Sequence, residues 1–413
     1  MLRDIGRLAT ASGLGQIITI AAAPVLTRLY SLDGYGVLGV FMSCVGILSV
    51  VACLRYELAI PLASGAASVH ALVKLCVLLL SGTSVLLLFA VALLGQGGIA
   101  AFGAGGLGEL SWLLPLGVFV TGLYQVLSYV AVRDKGFGVM ARTKVSQSGG
   151  AVLTQGLMGI FGTGATGLLF GQVMGTTIGA VTLGRWMQGR RGQPRLKTEE
   201  TSLLWLAQRY RRFPVFSAPA GLLNALALNV PVLLIANLYG EASAGAFFLA
   251  QRILNIPLAL LATSISQVYM AEAARQRRER PEESIAPLFW SLALRAFLVG
   301  TPLAAVLWFL APTLFPIVFG NAWVQAGVFA SLTAPLLLSR FVTTSLAATL
   351  TVLERQHLTL ILQTGIVAAA LGSLWGAGQA ALTPEEAVGV YGMVTAAVYG
   401  FFFLVLAKVV KQA

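Results

Sequence analysis

The segment AGAFFLAQRILNIPLALLATSISQVYMAEAAR, residues 244–275, decides how the rest of the chain is interpreted. It is apolar and long enough to cross a bilayer, because a transmembrane helix needs about 20 apolar residues. It nevertheless contains Arg252, with Gln251 and Asn255 nearby. An arginine at the bilayer centre costs about 2.5 to 3.5 kcal/mol on insertion scales, so it usually faces a water-filled cavity or an anionic partner. The segment therefore predicts a helix that borders a hydrated cavity.

The composition is that of a polytopic membrane protein. The 413 residues are 57% hydrophobic and only 10% charged, and the mean hydropathy is +0.86. Runs of about 20 Leu- and Ala-rich residues recur along the chain, whereas an outer-membrane barrel would show alternating strands of about ten residues. We therefore expect an all-α polytopic membrane protein with about 12 transmembrane helices.

Twelve apolar segments, separated by charged or glycine-rich breaks, are the predicted spans. Arg3 and Arg7 precede the first segment as they would in a secretory signal, but the segment continues unbroken to Arg28 and Tyr30. We therefore interpret it as a transmembrane helix. The twelve cores are residues 8–29, 37–59, 71–94, 110–132, 145–161, 165–186, 216–238, 244–270, 289–310, 324–353, 358–375 and 387–409.

The net charge of +12 indicates membrane orientation and not nucleic-acid binding, because the basic residues fall in alternate breaks. Lys and Arg are absent from the intervening breaks, residues 95–109, 162–164, 240–243, 320–323 and 376–386. The positive-inside rule then places the basic breaks and both termini in the cytoplasm. Arg28, at the predicted outer end of the first helix, departs from the pattern.

The most basic break divides the chain near its midpoint. It predicts an N-terminal six-helix lobe at residues 1–187, a basic cytoplasmic linker at 188–213 and a C-terminal six-helix lobe at 214–413. The linker ends in SLLWLAQRYRRFP, which is typical of an interfacial amphipathic segment. The sequence PVL occurs at 24–26 and again at 231–233, which favours a parallel repeat of two lobes around a central cavity.

Signatures of enzymatic chemistry are mostly absent from the sequence. His70 and His357 are predicted at cytoplasmic ends of spans, where we expect a solvated or interfacial role and not metal binding or acid–base chemistry. Gly103, Gly105 and Gly108 match a dinucleotide-binding spacing, but no strand precedes them. The three cysteines lie in or beside apolar runs and indicate neither a disulfide framework nor a metal cluster. We expect no enzymatic activity, no metal and no cofactor.

The candidate site consists of arginines inside or beside the predicted spans. Arg340 lies near the middle of the tenth span, where its guanidinium cannot easily reach either surface. Arg252 is placed roughly 8 Å from the outer end of its helix and can either line a cavity or extend to the surface. Arg28 is either a ligand or a solvated anchor. Arg55 and Glu57, toward the cytoplasmic end of the second span, are interpreted as a gate or a structural ion pair.

Arg28, Arg252 and Arg340 have no carboxylate near them in the sequence of their predicted spans, which suggests a ligand that brings the negative charge. A diphosphate fits, because guanidinium groups bind its oxygens in bidentate fashion and its charge offsets the desolvation of the arginines. A cationic compound does not fit.

At these residues the chain resembles the lipid-linked oligosaccharide flippases of bacterial polysaccharide synthesis, within the multidrug/oligosaccharidyl-lipid/polysaccharide exporter superfamily. The order and spacing of the motifs carry the resemblance, which covers nearly the whole chain. The motifs are PVLTRLYS (24–31), LRYELAIPLA (54–63), RYRRFPVFSAPAGLLN (209–224), AQRILNIPLALLATSISQV (250–268) and SRF (339–341).

The resemblance implies transport of an undecaprenyl-diphosphate-linked oligosaccharide, such as an O-antigen or exopolysaccharide unit, from the cytoplasmic to the periplasmic leaflet of the inner membrane. Related lipid II flippases place arginines in their cavity at positions similar to Arg28 and Arg252. The implied partners are the lipid-linked glycan, membrane lipids, a polysaccharide polymerase and a chain-length regulator, with no nucleic acid. The predicted diphosphate ligands are Arg28, Arg252 and Arg340, and the predicted cavity lining is Gln16, Asn229, Gln251 and Asn255.

Two other functions are compatible with the sequence. One is a cation-coupled exporter of small cationic compounds with the same fold, but the first span lacks the buried acidic residue that would serve as its cation site. The other is a non-transporting membrane component, or a membrane-embedded enzyme, of a polysaccharide synthesis complex.

Overall fold

A computed structural model describes residues 2–101, 105–189, 202–279, 284–353 and 355–412. The secondary structure of these residues is helical, which confirms the all-α prediction. The chain forms two compact units, Met1–Asn229 and Val230–Ala413. The predicted lobe and linker boundaries stay a prediction, since residues 190–201 of the linker lie outside the described residues.

The first unit contains seven described α-helices and the start of an eighth. Two 3-10 helices, Tyr56–Leu62 and Gly105–Trp112, precede the third and fourth α-helices, and a π-helical turn, Phe213–Ser217, precedes the eighth. The α-helices are α1 (Leu2–Leu29), α2 (Leu32–Ala52), α3 (Gly65–Ala101), α4 (Leu113–Arg133), α5 (Phe137–Ile160), α6 (Ala165–Gly189), α7 (Leu203–Arg209) and α8 (Ala218–Glu279).

The second unit begins within α8 and continues to the C-terminus. A 3-10 helix, Asn321–Trp323, follows its first complete α-helix. The α-helices after α8 are α9 (Ala286–Phe319), α10 (Val324–Leu332), α11 (Ala334–Leu346), α12 (Ala348–Val352), α13 (Gln356–Gln379) and α14 (Pro384–Lys411).

Each of the twelve predicted segments is mainly helical, and the chain is a multi-pass membrane protein. Within the described residues, eight helices are long and apolar enough to cross a membrane, or nine if one bent pair forms a single span. The bent pair is Asn321–Leu332 and Ala334–Leu350, which meet at 49°. Pro335 is the second residue of the second helix of this pair and cannot donate a backbone hydrogen bond to the preceding turn.

Two predicted boundaries differ from the structure. The second predicted span ends early, at Ala52, because Leu54 and Arg55 adopt left-handed backbone angles with φ of 49° and 62°. The seventh and eighth predicted spans form α8, which is interrupted only at Gly240. Gly240 has φ of 83°, a conformation that glycine adopts without the steric cost a Cβ would impose.

Close backbone approach holds α5 against α6 in the first unit. A Cβ added to Gly175 would lie 2.7 Å from both the Ala151 Cβ and the Gln147 carbonyl oxygen, so only glycine fits this contact. The Gln155 amide donates to the Leu168 carbonyl at 3.0 Å, and the hydroxyl of Tyr30, directly after α1, donates to the Gln155 carbonyl at 2.6 Å. These bonds fix α1, α5 and α6 together.

Buried aromatic residues and side-chain hydrogen bonds position the helices of the second unit. Phe247 of α8 makes edge contacts with Phe329 of α10 and Tyr391 of α14, at ring-centroid distances of 6.3 and 5.9 Å. The Thr343 hydroxyl of α11 donates to the Tyr399 carbonyl of α14 at 3.1 Å. α11 is thereby held in a fixed orientation, which sets the position of Arg340.

Candidate functional site

Arg340 forms a polar connection between α11 and α8. Its Nη1 donates to the Asn255 Oδ1 at 3.5 Å, which is a long hydrogen bond. The Asn255 amide nitrogen donates in turn to the Gln251 Oε1 at 2.6 Å. The structure therefore brings three predicted site residues together, although Arg340 and Asn255 are 85 residues apart in sequence.

A cavity of about 250 Å³ lies beside this pair. One wall comes from α8 and the other from α11, and its polar groups are an arginine, an amide and two hydroxyls. The Thr344 hydroxyl is turned back to the Arg340 carbonyl at 2.7 Å. The lining residues are Asn255, Leu258, Ala262, Ser266, Leu337, Arg340, Phe341 and Thr344.

No carboxylate among the described residues forms an ion pair with Arg340. The Arg340 guanidinium is partly buried in an apolar helix. An amide at 3.5 Å offsets little of the cost of a cation in an apolar span. The arrangement is chemically suited to bind an anion.

Arg252 lies deeper in its helix than the sequence predicted. The second half of α8 resumes directly after Gly240, so Arg252 stands twelve residues, or about 18 Å of helix, beyond the break. Residues 241–243, which were expected in a loop, are helical, so this part of the helix begins earlier than the sequence predicted. The Arg252 guanidinium carbon lies 5.8 Å from the Phe248 ring centroid, a cation–π contact with the preceding turn.

The other predicted site residues belong to the first unit. Arg28 is exposed in the last turn of α1. Gln16 of the same helix has a buried Oε1 that has no hydrogen-bond partner among the described residues. Asn229 donates to the Ala225 carbonyl at 2.8 Å and lies against Gly46 of α2, where an added Cβ would come within 3.0 Å of its Oδ1. Arg28, Gln16 and Asn229 thus lie in the first unit, whereas the lining residues of the Arg340 cavity all lie in the second.

Arg55 and Glu57 form a buried pair after α2. The Arg55 Nη1 lies 3.7 Å from the Glu57 Oε1, and the two side chains are 23% and 3% exposed. The Arg55 Nε and the Glu57 Oε2 are buried and have no hydrogen-bond partner in the part of the chain that the structure describes. Gly221 at the start of α8 packs against the guanidinium so closely that a Cβ there would collide with it. A change in this pair would therefore displace α8.

Burial dominates the ionisation of Glu57. It raises the pKa of the Glu57 carboxyl above its usual value, while a backbone N–H bond and the Arg55 guanidinium lower it. Because burial has the larger effect, the net result is a raised pKa, and the Glu57 carboxyl takes up a proton more readily than an exposed glutamate does.

Several cavity residues were missed by the sequence analysis, yet helical spacing could have found them. Leu337, Arg340 and Thr344 recur every three or four residues on one face of α11. Asn255, Leu258, Ala262 and Ser266 do the same on α8. Within the described residues, His, Cys, Asp and Glu side chains form no group of three that could hold a metal ion.

The chain matches the model of a protein family described as polysaccharide biosynthesis protein over residues 25–327. The comparison with curated proteins gives no match.

Two solved structures share the fold along almost the whole chain. One is an inward-facing multidrug resistance MATE family transporter of the MOP superfamily, with a TM-score of 0.71, 15% identity and 96% of each chain covered. The other is the lipid II flippase MurJ in an inward closed conformation, with a TM-score of 0.70, 12% identity, and 96% of this chain and 87% of that chain covered. These likenesses confirm the superfamily fold that the sequence motifs predicted. The chain belongs to the family of polysaccharide biosynthesis proteins.

Proposed function

We propose that this protein is a flippase that moves an undecaprenyl-diphosphate-linked oligosaccharide from the cytoplasmic to the periplasmic leaflet of the bacterial inner membrane. The product would supply cell-surface polysaccharide synthesis, such as that of O-antigen or exopolysaccharide. One observation carries the proposal: Arg340 lies in the middle of an apolar helical span, beside a cavity, with an amide as its hydrogen-bond partner. The polysaccharide family and the fold shared with MurJ support the same substrate class.

The diphosphate is the part of the substrate that the cavity would recognise. Charge-assisted hydrogen bonds from a guanidinium to phosphate oxygens are about twice as strong as neutral ones, and the ligand's charge removes the cost of the unpaired cation. Asn255 holds Arg340 toward the cavity and has its own amide oriented by Gln251. Arg252 lies about one turn before Asn255 on α8 and is the second cation proposed to bind the diphosphate. Arg28 of the first unit is the third.

The polyprenyl chain would remain in lipid while the sugars pass through a hydrated path. Alternating access requires helices that bend, and α1 contains Pro24 while α8 is broken at Gly240. We assign Gln16 and Asn229 to the lining of the path. The Arg55–Glu57 pair is the proposed cytoplasmic gate, since it connects the turn after α2 to the start of α8.

The same fold is found in a multidrug resistance transporter, so export of small cationic compounds is the second candidate. That function needs an anionic site in the membrane. The carboxylate of Glu57 is the buried acidic group in the described part of the chain, and Arg55 lies beside it. The observed charges therefore favour an anionic substrate.

Deletion of the gene followed by leaflet-resolved lipid analysis tests the function. Sugar-loaded carrier should accumulate facing the cytoplasm in the deletion strain, and export should return with the wild-type gene. Arg340→Ala should fail to restore export at normal protein level, and Arg340→Lys should restore it in part.

Arg295→Ala is the matched control, because Arg295 is an exposed arginine of α9 in the same unit. Normal export by the Arg340→Ala variant would refute the site. Unchanged leaflet distribution in the deletion strain would refute the function. Altered resistance to cationic compounds without any change in glycan would support the exporter.

A further inference from the structure

A second basic site lies outside the candidate cavity, on α7 and the turn that follows it. Arg209, Arg211 and Arg212 line a cleft of about 760 Å³ together with Trp205 and Gln208. Residues 202–217 contain no Asp or Glu. The cleft is thus formed by three guanidinium groups, an amide and an indole, and all of these groups can donate hydrogen bonds.

The segment that carries this cleft is fixed to the rest of the first unit. Leu206 of α7 is fully buried, and the Ala207 carbonyl accepts a hydrogen bond of 3.0 Å from the Tyr56 hydroxyl. The arginines therefore extend from an anchored helix and not from a free loop, so a ligand would lose little conformational entropy in ordering them.

The three arginines are not neutralised by acidic side chains in the part of the chain that the structure describes. The Arg209 guanidinium carbon lies 5.1 Å from the Trp205 ring and 5.9 Å from the Tyr210 ring. Stacking on aromatic faces leaves the N–H edges of a guanidinium available to bind phosphate oxygens.

Apolar side chains beside the cleft indicate that it lies at a membrane surface. Leu204 is 78% exposed, Phe216 is 69% exposed and Trp205 is half exposed. A span-length apolar helical segment begins at Phe213, directly after Arg212. Amphipathic segments with arginine on one face and Trp, Phe and Leu on the other lie in the interface, where anionic lipid headgroups attract them.

We propose that the cleft formed by Trp205, Gln208, Arg209, Arg211 and Arg212 binds the phosphate of an anionic phospholipid in the cytoplasmic leaflet. The headgroup contacts the guanidinium groups, and the acyl chains cover the exposed apolar side chains. This site is separate from the proposed transport site and does not depend on the proposed function.

Fluorescence quenching of the purified full-length protein in neutral detergent tests the proposal. The fluorescence of Trp205 is obtained by subtracting the emission of the Trp205→Phe variant from that of the wild-type protein. Acyl-chain-brominated phosphatidylglycerol should quench this signal at a lower mole fraction than brominated phosphatidylcholine. Each cation near an anionic surface contributes about a fivefold preference for the anionic lipid over the neutral one. The triple variant Arg209→Gln, Arg211→Gln and Arg212→Gln should therefore lower the preference for phosphatidylglycerol over phosphatidylcholine on the order of tenfold to hundredfold.

The control removes the same charge elsewhere, at three other exposed cations: Lys135→Gln, Arg142→Gln and Lys408→Gln. This control should keep the lipid preference, and quenching by phosphatidylcholine should be equal in all variants if they are folded. Equal quenching by the two lipids, or equal loss in the control variant, would overturn the proposal. Displacement of the lipid by inorganic phosphate at constant ionic strength would identify a soluble-anion site and also overturn it.

Discussion

Removal of the Arg55 cation should destabilise the protein mainly above neutral pH. Breaking a buried ion pair costs about 3 to 5 kcal/mol when the other charge is left unpaired. Arg55 is 23% exposed and its Nη1 is 3.7 Å from the carboxylate, so we expect a cost below this range, about 2 kcal/mol, for Arg55→Gln. For a unit of about 200 residues this corresponds to a melting temperature lower by about 4 to 8 °C.

The pH dependence distinguishes this mechanism from loss of packing. Burial raises the pKa of Glu57 and Arg55 lowers it, so Arg55→Gln should raise that pKa further. A carboxyl with a raised folded-state pKa contributes stability below its unfolded pKa of about 4.3, and this stability is lost as pH rises through the folded-state pKa. The melting temperature of the variant should therefore fall further below that of the wild type at pH 8 than at pH 5.5.

Thermal unfolding of detergent-purified protein at both pH values provides the measurement. Adding Glu57→Gln to Arg55→Gln should recover most of the loss at pH 8, because the unpaired charge is then absent. Arg275→Gln is the control, since Arg275 and Glu272 form a shorter pair at 2.7 Å that is largely exposed and contributes about 0.2 to 1 kcal/mol. An equal loss at both pH values that Glu57→Gln does not relieve would refute the reasoning.

Two further predictions concern helix packing and the candidate cavity. Gly175→Ala should destabilise the protein by about 1 to 3 kcal/mol, because the added Cβ meets Ala151 and backbone atoms. Gly156→Ala is the control and should not destabilise it, because the space around Gly156 is open. Thermal unfolding measures this difference, and equal effects of the two substitutions would contradict the prediction. Asn255→Ala should lower polysaccharide export by about five- to tenfold, because Arg340 loses the amide that orients it. Export at the wild-type rate with normal protein level would show that Asn255 does not position the arginine.

The sequence predicted the helical class and most of the helix positions, because both follow from local hydropathy and length. Arg340 could also be identified from sequence, since a charge in the middle of an apolar run is visible without a structure. The depth of Arg252 could not, because a single glycine at position 240 interrupts α8 where a loop was expected. Helix continuity across such a residue depends on packing and not on hydropathy.

Tertiary partners were also beyond the sequence. No pattern connects Asn255 to Arg340, because their contact depends on how α8 packs against α11. The left-handed turn at Leu54 and Arg55 has no sequence signal either, since glycine or asparagine would be expected at such backbone angles. The contact of Arg55 with Gly221 likewise depends on the fold of the first unit.

The central claim is that a cation inside the membrane binds the diphosphate of a lipid carrier. The most direct measurement is the affinity of the purified protein for undecaprenyl diphosphate, compared with uncharged undecaprenol. Charge-assisted hydrogen bonds contribute about 1.5 to 3 kcal/mol, so Arg340→Ala should weaken diphosphate binding about tenfold to hundredfold, and Arg340→Lys should recover part of it. Binding of undecaprenol should be the same in all three proteins. If Arg340→Ala bound undecaprenyl diphosphate as tightly as the wild type, the account would be contradicted.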